Sequence, residues 1–248
     1  MSATKNSRDL NAGPKVVGAV HSTGALRRAL RIRPGEVDFL EIRVDSFAAD
    51  PAPLLRALPR LRVPLLITVR HPAEGGAHGL SFPLRHALFA RFLPFATLID
   101  IERRSVKALA STIAAARARG VRVIVSDHHF KTTPPAAQLQ RSIRRARAAG
   151  ADICKIAALA ETPAALARLL ALFARPQPLP LSVMGMGRFG KISRLLLAQA
   201  GSVLNYGYLD EPNASGQWEA VLLKKRLAEL GSDQALAGCA PSTRISAE

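Results

Sequence analysis

Short apolar, β-branched runs recur down the chain at near-even intervals. They fall at 15–20, 37–44, 64–69, 96–101, 121–126, 151–157, 179–184 and 202–208. The segments between them carry apolar residues at helical spacing, and several stop at glycine: the run 106–118 ends just before Gly120, and 143–149 ends at Gly150. Eight such units in 248 residues average about 31 residues each, the length of a strand plus a crossover helix. Strand–helix alternation implies a parallel sheet, and eight units close naturally into a barrel. No Pro/Ser-rich linker divides the chain. The pattern predicts an α/β protein, a single-domain (β/α)8 TIM barrel over residues 14–230, with a polar, flexible arm at 1–13 and a flexible tail at 231–248. Cys239, in that tail, has no evident task.

Composition narrows the class. The chain is 48% hydrophobic and 21% charged, neither disordered nor fibrous. No apolar stretch reaches ~18 residues uninterrupted, so no spanning helix is expected. The start, MSATKNSRDLNAGPK, has no apolar core of the kind a secretory signal carries. Two cysteines make neither a disulfide framework nor a metal cage. A cytoplasmic protein without metal is the expectation. The net charge of +17 invites a nucleic-acid reading. However, 27 of the 35 basic residues are arginines, many of them in Ala/Leu/Arg segments such as 25–33, 115–119 and 141–149, where they alternate with apolar positions as on a solvated helix face. Aromatic residues are only 5%, too few for base stacking. The charge is better suited to steering an anionic metabolite than to holding nucleic acid.

In such barrels reactive groups cluster at the carboxyl ends of the strands. Here those ends are rich in polar residues. The second carries Glu41, Arg43 and Asp45 at period two, and the third runs into Arg70, His71 and Glu74-Gly75-Gly76. The fourth ends Asp100-Ile101-Glu102, the fifth Ser126-Asp127-His128-His129-Phe130, the sixth carries Lys155, and the seventh leads through Met184-Gly185-Met186-Gly187 to Arg194. Any one of these charges could be a structural salt bridge. Six consecutive units with charge or imidazole at one level are harder to explain that way, because a structural layer would be mostly branched aliphatics.

Lys155 is the only one of eight lysines flanked on both sides by an apolar strand run. Burial beside cations such as Arg43, Arg70 and Arg194 would favour a neutral amine, which can attack a ketone and form an iminium. Such chemistry needs a proton shuttle. His128 and His129 are adjacent, so only one can face the barrel interior, and parity alone leaves the choice open. His21, His71, His78 and His86 fall in loops or helices and read as bystanders. Glu74 could orient an imidazole, and without a partner it reads as a solvated loop acid.

Together the segments EIRVD (41–45), TVRHPAEGG (68–76), SDHHFKTTPP (126–135), ADICKIA (151–157), MGMG with ISR (184–194) and NASGQ (213–217) resemble type I 3-dehydroquinate dehydratase. The matches occur in the family's order and cover about 15–225. The resemblance implies a (β/α)8 barrel that uses neither metal nor cofactor. It also implies syn elimination of water from 3-dehydroquinate, giving 3-dehydroshikimate through a lysine Schiff base, within aromatic amino-acid biosynthesis. It assigns Lys155 as the Schiff-base lysine, His128 as general acid and base, and Glu74 as the carboxylate partner of that histidine. Glu41 and Arg43 resemble the pair that contacts substrate hydroxyls. Arg70 and Arg194 match substrate-binding arginines, with Arg194 aimed at the substrate carboxylate, and Gln217 matches the glutamine of the closing loop.

Two positions depart from the family pattern. The closing loop usually reads Ala-Ser-Ala-Pro-Gly-Gln, whereas this one reads Pro212-Asn213-Ala214-Ser215-Gly216-Gln217. Asn213 therefore stands where a serine contacts substrate, and its amide can make the same bond. The missing proline implies a looser lid. His129 replaces a customary acid or amide. The expected partner is the small substrate, with no nucleic acid and no membrane, and a homodimer is among the states left open. Two rivals remain: another Schiff-base barrel, such as an aldolase holding phosphate near Gly185, Gly187 and Gly190, and a non-catalytic basic protein that binds nucleic acid.

Overall fold

A computed structural model describes residues 13–237. Eight parallel strands, β1 (Lys15–Val20), β2 (Phe39–Arg43), β3 (Leu65–Thr68), β4 (Leu98–Glu102), β5 (Arg122–His129), β6 (Ile153–Leu159), β7 (Leu181–Met186) and β8 (Leu204–Tyr208), form one sheet in the order β7-β6-β5-β4-β3-β2-β1-β8. A helix follows each strand: α1 (Thr23–Ala29), α2 (Ala52–Ala57), α3 (Phe82–Phe92), α4 (Ala110–Ala118), α5 (Ala136–Ala148), α6 (Pro163–Leu170), α7 (Gly190–Gln199) and α8 (Ala220–Ala237). The architecture is the (β/α)8 barrel that the alternation predicts.

The ends of the sheet, β7 and β8, meet across a seam made largely by serines. The Val203 N–H donates to the Leu181 carbonyl at 2.8 Å. Ser202 Oγ accepts from the Val183 N–H at 3.0 Å, and Ser182 Oγ donates to the Leu204 carbonyl at 2.7 Å. Both serines are buried, so their hydroxyls replace ladder bonds that the strands do not make.

Period-two alternation sorts the strand side chains into two apolar layers. Val17, Phe39, Leu66, Leu98, Ile124, Ile153 and Leu204 plug the barrel interior. Residues of opposite parity, such as Val16, Ile42, Ile67, Val123 and Val125, pack outward against Leu54, Phe89, Phe92, Leu139 and Leu169 of the helices. This settles the parity of β5. His128 shares the inward face of Ile124 and Ser126, whereas Asp127 and His129 point out between strand and helix, where Asp127 accepts from Ser142 of α5. The helix stops fall where glycine marks them: Gly120 (φ +69°) and Gly150 (φ +72°) lie just past α4 and α5 in the left-handed region.

Two expectations shift. The second strand ends at Arg43, so Asp45 lies in the 3-10 turn Val44–Phe47 and does not continue the strand's face. The last helix runs to Ala237, past the 231 boundary drawn from composition. The arm at 1–12 and the segment 238–248, Cys239 included, lie outside the described residues. Among the described residues no helix is long and apolar enough to cross a membrane.

The seam gives a stability prediction. Ser202→Ala leaves the buried Val183 N–H without its acceptor, a loss of about 1–3 kcal/mol. Thermal unfolding should show Tm lowered by roughly 2–10 °C in a domain of this size, and an unchanged Tm would mean that the seam is held otherwise.

Candidate active site

Above the aliphatic plug the inward rows turn ionisable, and the centre of that layer is Arg70. It lies two residues beyond β3 and is 3% exposed. Its Nη1 donates to Asp100 at 3.0 Å, Glu102 at 3.1 Å and Ser126 at 2.9 Å, and its Nη2 donates to Asp100 at 2.9 Å. Glu41 Oε1 lies 3.8 Å away. The other side of Glu102 meets Arg85, which reaches in from α3: Nη2 donates to Glu102 at 2.6 Å and to the Val69 carbonyl at 2.8 Å. Burial works against ionising Asp100, yet Arg70 and Lys155 hold its carboxyl well below the usual range. Arg70 faces the cavity, but its guanidinium is engaged by these carboxylates.

Lys155 rises from β6 into the same layer. Its Nζ lies 2.9 Å from Asp100 Oδ2, 3.6 Å from Glu41 Oε1 and 3.9 Å from the centroid of the Tyr206 ring. Its nearest charged neighbours are therefore carboxylates, which corrects the expected surround of arginines. Glu41 is itself held by Thr68, whose hydroxyl donates to it at 2.9 Å.

His128 and Glu74 meet beside this amine. Ser126 pairs with Lys155 across the β5–β6 ladder, so His128 stands one inward step higher on the neighbouring strand. Glu74 ends the 3-10 turn Pro72–Glu74, and its Oε2 lies 2.8 Å from His128 Nδ1. It is not a solvated loop acid. Asp45 pins the turn: it accepts from the Arg70 and Ala77 N–H groups and pairs with Arg43 at 2.7 Å. Arg43 also donates to the Gly75 carbonyl at 2.8 Å.

The two partners are pushed in opposite senses. Burial, helped by Glu102 and Asp127, raises Glu74 to about 7, against the pull of Arg70 and Arg104. Burial, together with Arg70 and Lys155, lowers His128 well below the usual imidazole value. At neutral pH the imidazole is uncharged, with Nδ1 committed to Glu74 and Nε2 left to act as a base.

Arg194 closes the opposite wall. It is 1% exposed, and its Nε and Nη1 donate to the carbonyls of Tyr206, Gly185, Gly190 and Gly216 at 2.7–2.9 Å. Burial brings it down to about 10, so it stays charged at neutral pH. Among the described residues no carboxylate lies within ion-pair distance of it. A buried cation without a counter-ion is suited to an anionic ligand.

The loop that brings Gly216 to Arg194 also carries Asn213 and Gln217. Gln217 Oε1 accepts from the Asn213 N–H at 3.0 Å. The loop is docked despite the missing proline: the Gly187 N–H donates to Ser215 Oγ at 3.1 Å, and a Cβ on Gly190 would meet Gly216 Cα at 2.7 Å. Gly187 spends its N–H on Ser215 and Gly185 spends its own on Ser193, while Glu161 accepts from the Arg188 N–H. An acid therefore sits where the aldolase reading needs a phosphate nest.

Glu41, Arg43, Arg70, Glu74, His128, Lys155, Arg194, Asn213 and Gln217, the nine residues named from sequence, line one cavity of about 110 Å³. Sequence reasoning missed Tyr206, Met184 and Met186 on its wall, and Arg85 behind it. The signal for Tyr206 was its inward parity on β8; Arg85 was hidden among helix arginines read as solvated.

Fold and cavity together mark an enzyme of the (β/α)8 class. Within that class the chain belongs to the type I 3-dehydroquinase family, whose model matches residues 18–234. It is 34% identical over 190 residues to a 3-dehydroquinate dehydratase of Hydrogenobaculum sp. (75% of this chain, 85% of the relative). It is 31% identical over 219 residues to that of Methanocella arvoryzae (88% and 97%). The crystal structure of the Geobacillus kaustophilus 3-dehydroquinate dehydratase superposes with a TM-score of 0.80 at 27% identity, covering 89% of this chain and 92% of that one.

Because Gly190 has ordinary helical φ, alanine there suits α7 but collides with the backbone of Gly216. Gly190→Ala should displace the lid and raise KM about tenfold or more, since a shift of about 1 Å in a positioning element can cost ~10²-fold. Tm should stay within about 2 °C of the unmodified protein. Steady-state kinetics with thermal melts separate the two effects, and an unchanged KM would show that the lid contact is dispensable.

Proposed function

We propose that this chain dehydrates 3-dehydroquinate to 3-dehydroshikimate, a step of the shikimate pathway of aromatic amino-acid biosynthesis, through a Schiff base on Lys155. One observation carries the reading. A buried amine, an imidazole–carboxylate pair and a guanidinium without a counter-ion converge on a single cavity.

Arg194 binds the substrate carboxylate. The Lys155 amine, once deprotonated, adds to the C3 ketone, and loss of water gives an iminium. The iminium draws electrons from C2 and acidifies its proton. His128 Nε2 takes that proton, leaving an enamine. The imidazolium then delivers it to the C1 hydroxyl, which departs as water, and hydrolysis of the remaining iminium releases product and restores the amine. Asp100 keeps a negative charge beside the nitrogen throughout, and the Tyr206 ring face adds a cation–π contact. Glu41, Arg43, Asn213 and Gln217 are assigned to the substrate hydroxyls, and Arg70 holds the carboxylates in register.

Each role has a variant. Lys155→Ala should abolish turnover and the adduct that borohydride traps with 3-dehydroquinate, read by mass spectrometry; retained activity would overturn the mechanism. His128→Ala should lower kcat by about 10²–10⁴-fold while the trapped adduct still forms.

The pH dependence follows from Glu74. Its pKa is raised to about 7, so below that pH the pair carries an extra proton and His128 cannot accept one from C2. Activity, as kcat/KM, should therefore rise with pH through about 7. In Glu74→Gln that limb should disappear from this range and the plateau should fall; a limb left in place would mean that another group titrates.

A further inference from the structure

Two consecutive arginines follow β4 directly and reach in different directions. Arg103 Nε donates to Asp127 Oδ2 at 2.9 Å, fastening the residue that precedes His128 on β5. Arg104 Nε lies 3.1 Å from Glu74 Oε1, the oxygen not used by His128. One short turn, Arg103–Ser105, thus holds Glu74 directly and the neighbour of His128 on β5. The other charged groups around Glu74 are Glu102 on β4, Arg70 beyond β3, Asp127 on β5 and Arg43, which binds the adjacent Gly75 carbonyl. Arg70 is spent on Asp100 and Glu102, Arg43 on Asp45, and Glu102 and Asp127 repel the charge on Glu74. Arg104 alone among these cations makes direct contact with the Glu74 carboxylate. It is also the most exposed: half of its side chain faces solvent, against 3% for Arg70.

We propose that Arg104 is a positioning residue for the general base. It holds Glu74 in the orientation that pairs with His128, and it keeps the carboxylate ionised to lower pH than the barrel interior alone would allow. Because the contact is exposed, dissolved ions screen it, whereas the buried pairs around Arg70 are screened far less. The base is consequently tuned from outside: its working pH range moves with ionic strength through one surface side chain. The kinetic part of this inference rests on the proposed dehydration; the ionisation of the pair does not.

The test uses the full chain and compares unmodified protein with Arg104→Leu and Arg104→Lys. With 3-dehydroquinate at low salt, Arg104→Leu should move the acid limb of kcat/KM upward by a few tenths of a pH unit. On the scale of an exposed ion pair, that is a fall of roughly one-and-a-half- to fivefold at a pH on the limb. Arg104→Lys should restore most of the limb's position. At about 1 M salt, where screening acts over ~3 Å, the unmodified limb should move to meet that of the leucine variant, which itself should barely respond. The position of the limb is the readout, because substrate attraction to Arg194 is shared by all three proteins.

A titration of the His128 ring by nitrogen-15 NMR without substrate, assigned through His128→Ala, should give the same order of the three proteins. Coincident titrations for unmodified protein and Arg104→Leu at low salt, or no recovery by lysine, would overturn the inference. If the NMR order appears in a protein that shows neither turnover nor a trapped adduct, the inference about Arg104 holds and the dehydratase reading falls.

Discussion

Packing carboxylates into the mouth of a barrel is expensive, and Arg70 is what makes it feasible here. Glu41, Asp45, Asp100 and Glu102 are each buried, three of them completely. A buried charge stripped of its partner costs several kcal/mol. One guanidinium touches Asp100, Glu102 and Ser126 and stands close to Glu41, while its own backbone N–H serves Asp45. Arg43, Arg85 and Lys155 supply the remaining positive charge. The position of the reactive amine therefore depends on this lattice: Lys155 is held by a carboxylate that Arg70 orients. The arrangement explains why β4 and β5 keep Asp100 and Ser126 where an aliphatic layer would otherwise continue.

The same burial separates the two halves of the proton shuttle. Desolvation disfavours charge on both groups, but it moves a carboxyl up and an imidazole down. Glu74 is thereby raised to about 7 and His128 falls well below the usual imidazole value, although the two remain 2.8 Å apart.

Much of this was legible in the chain. Strand recurrence and glycine stops reported the barrel, because a parallel sheet buried on both faces must be written in β-branched runs. Period two reported the inward rows of β2 and β4. Parity alone left His128 and His129 open and the resemblance chose His128; the physical reason is which face of β5 is covered, decided by α5 packing on Asp127 through Ser142. What escaped had physical causes. Arg85 obeys the helical period and looks like any other surface arginine until α3 is laid over Glu102. Arg70 was legible as a cavity residue, but its commitment to Asp100 and Glu102 depends on three strands being brought side by side.

Arg194 joins two things that are usually described separately. One nitrogen holds the carbonyl of Gly216 in the loop that carries Asn213 and Gln217, and the same guanidinium presents its charge to the cavity. The positive charge of this wall and the seating of the loop thus draw on a single side chain. A substitution at position 194 would therefore disturb the seating of the loop together with the charge of the cavity.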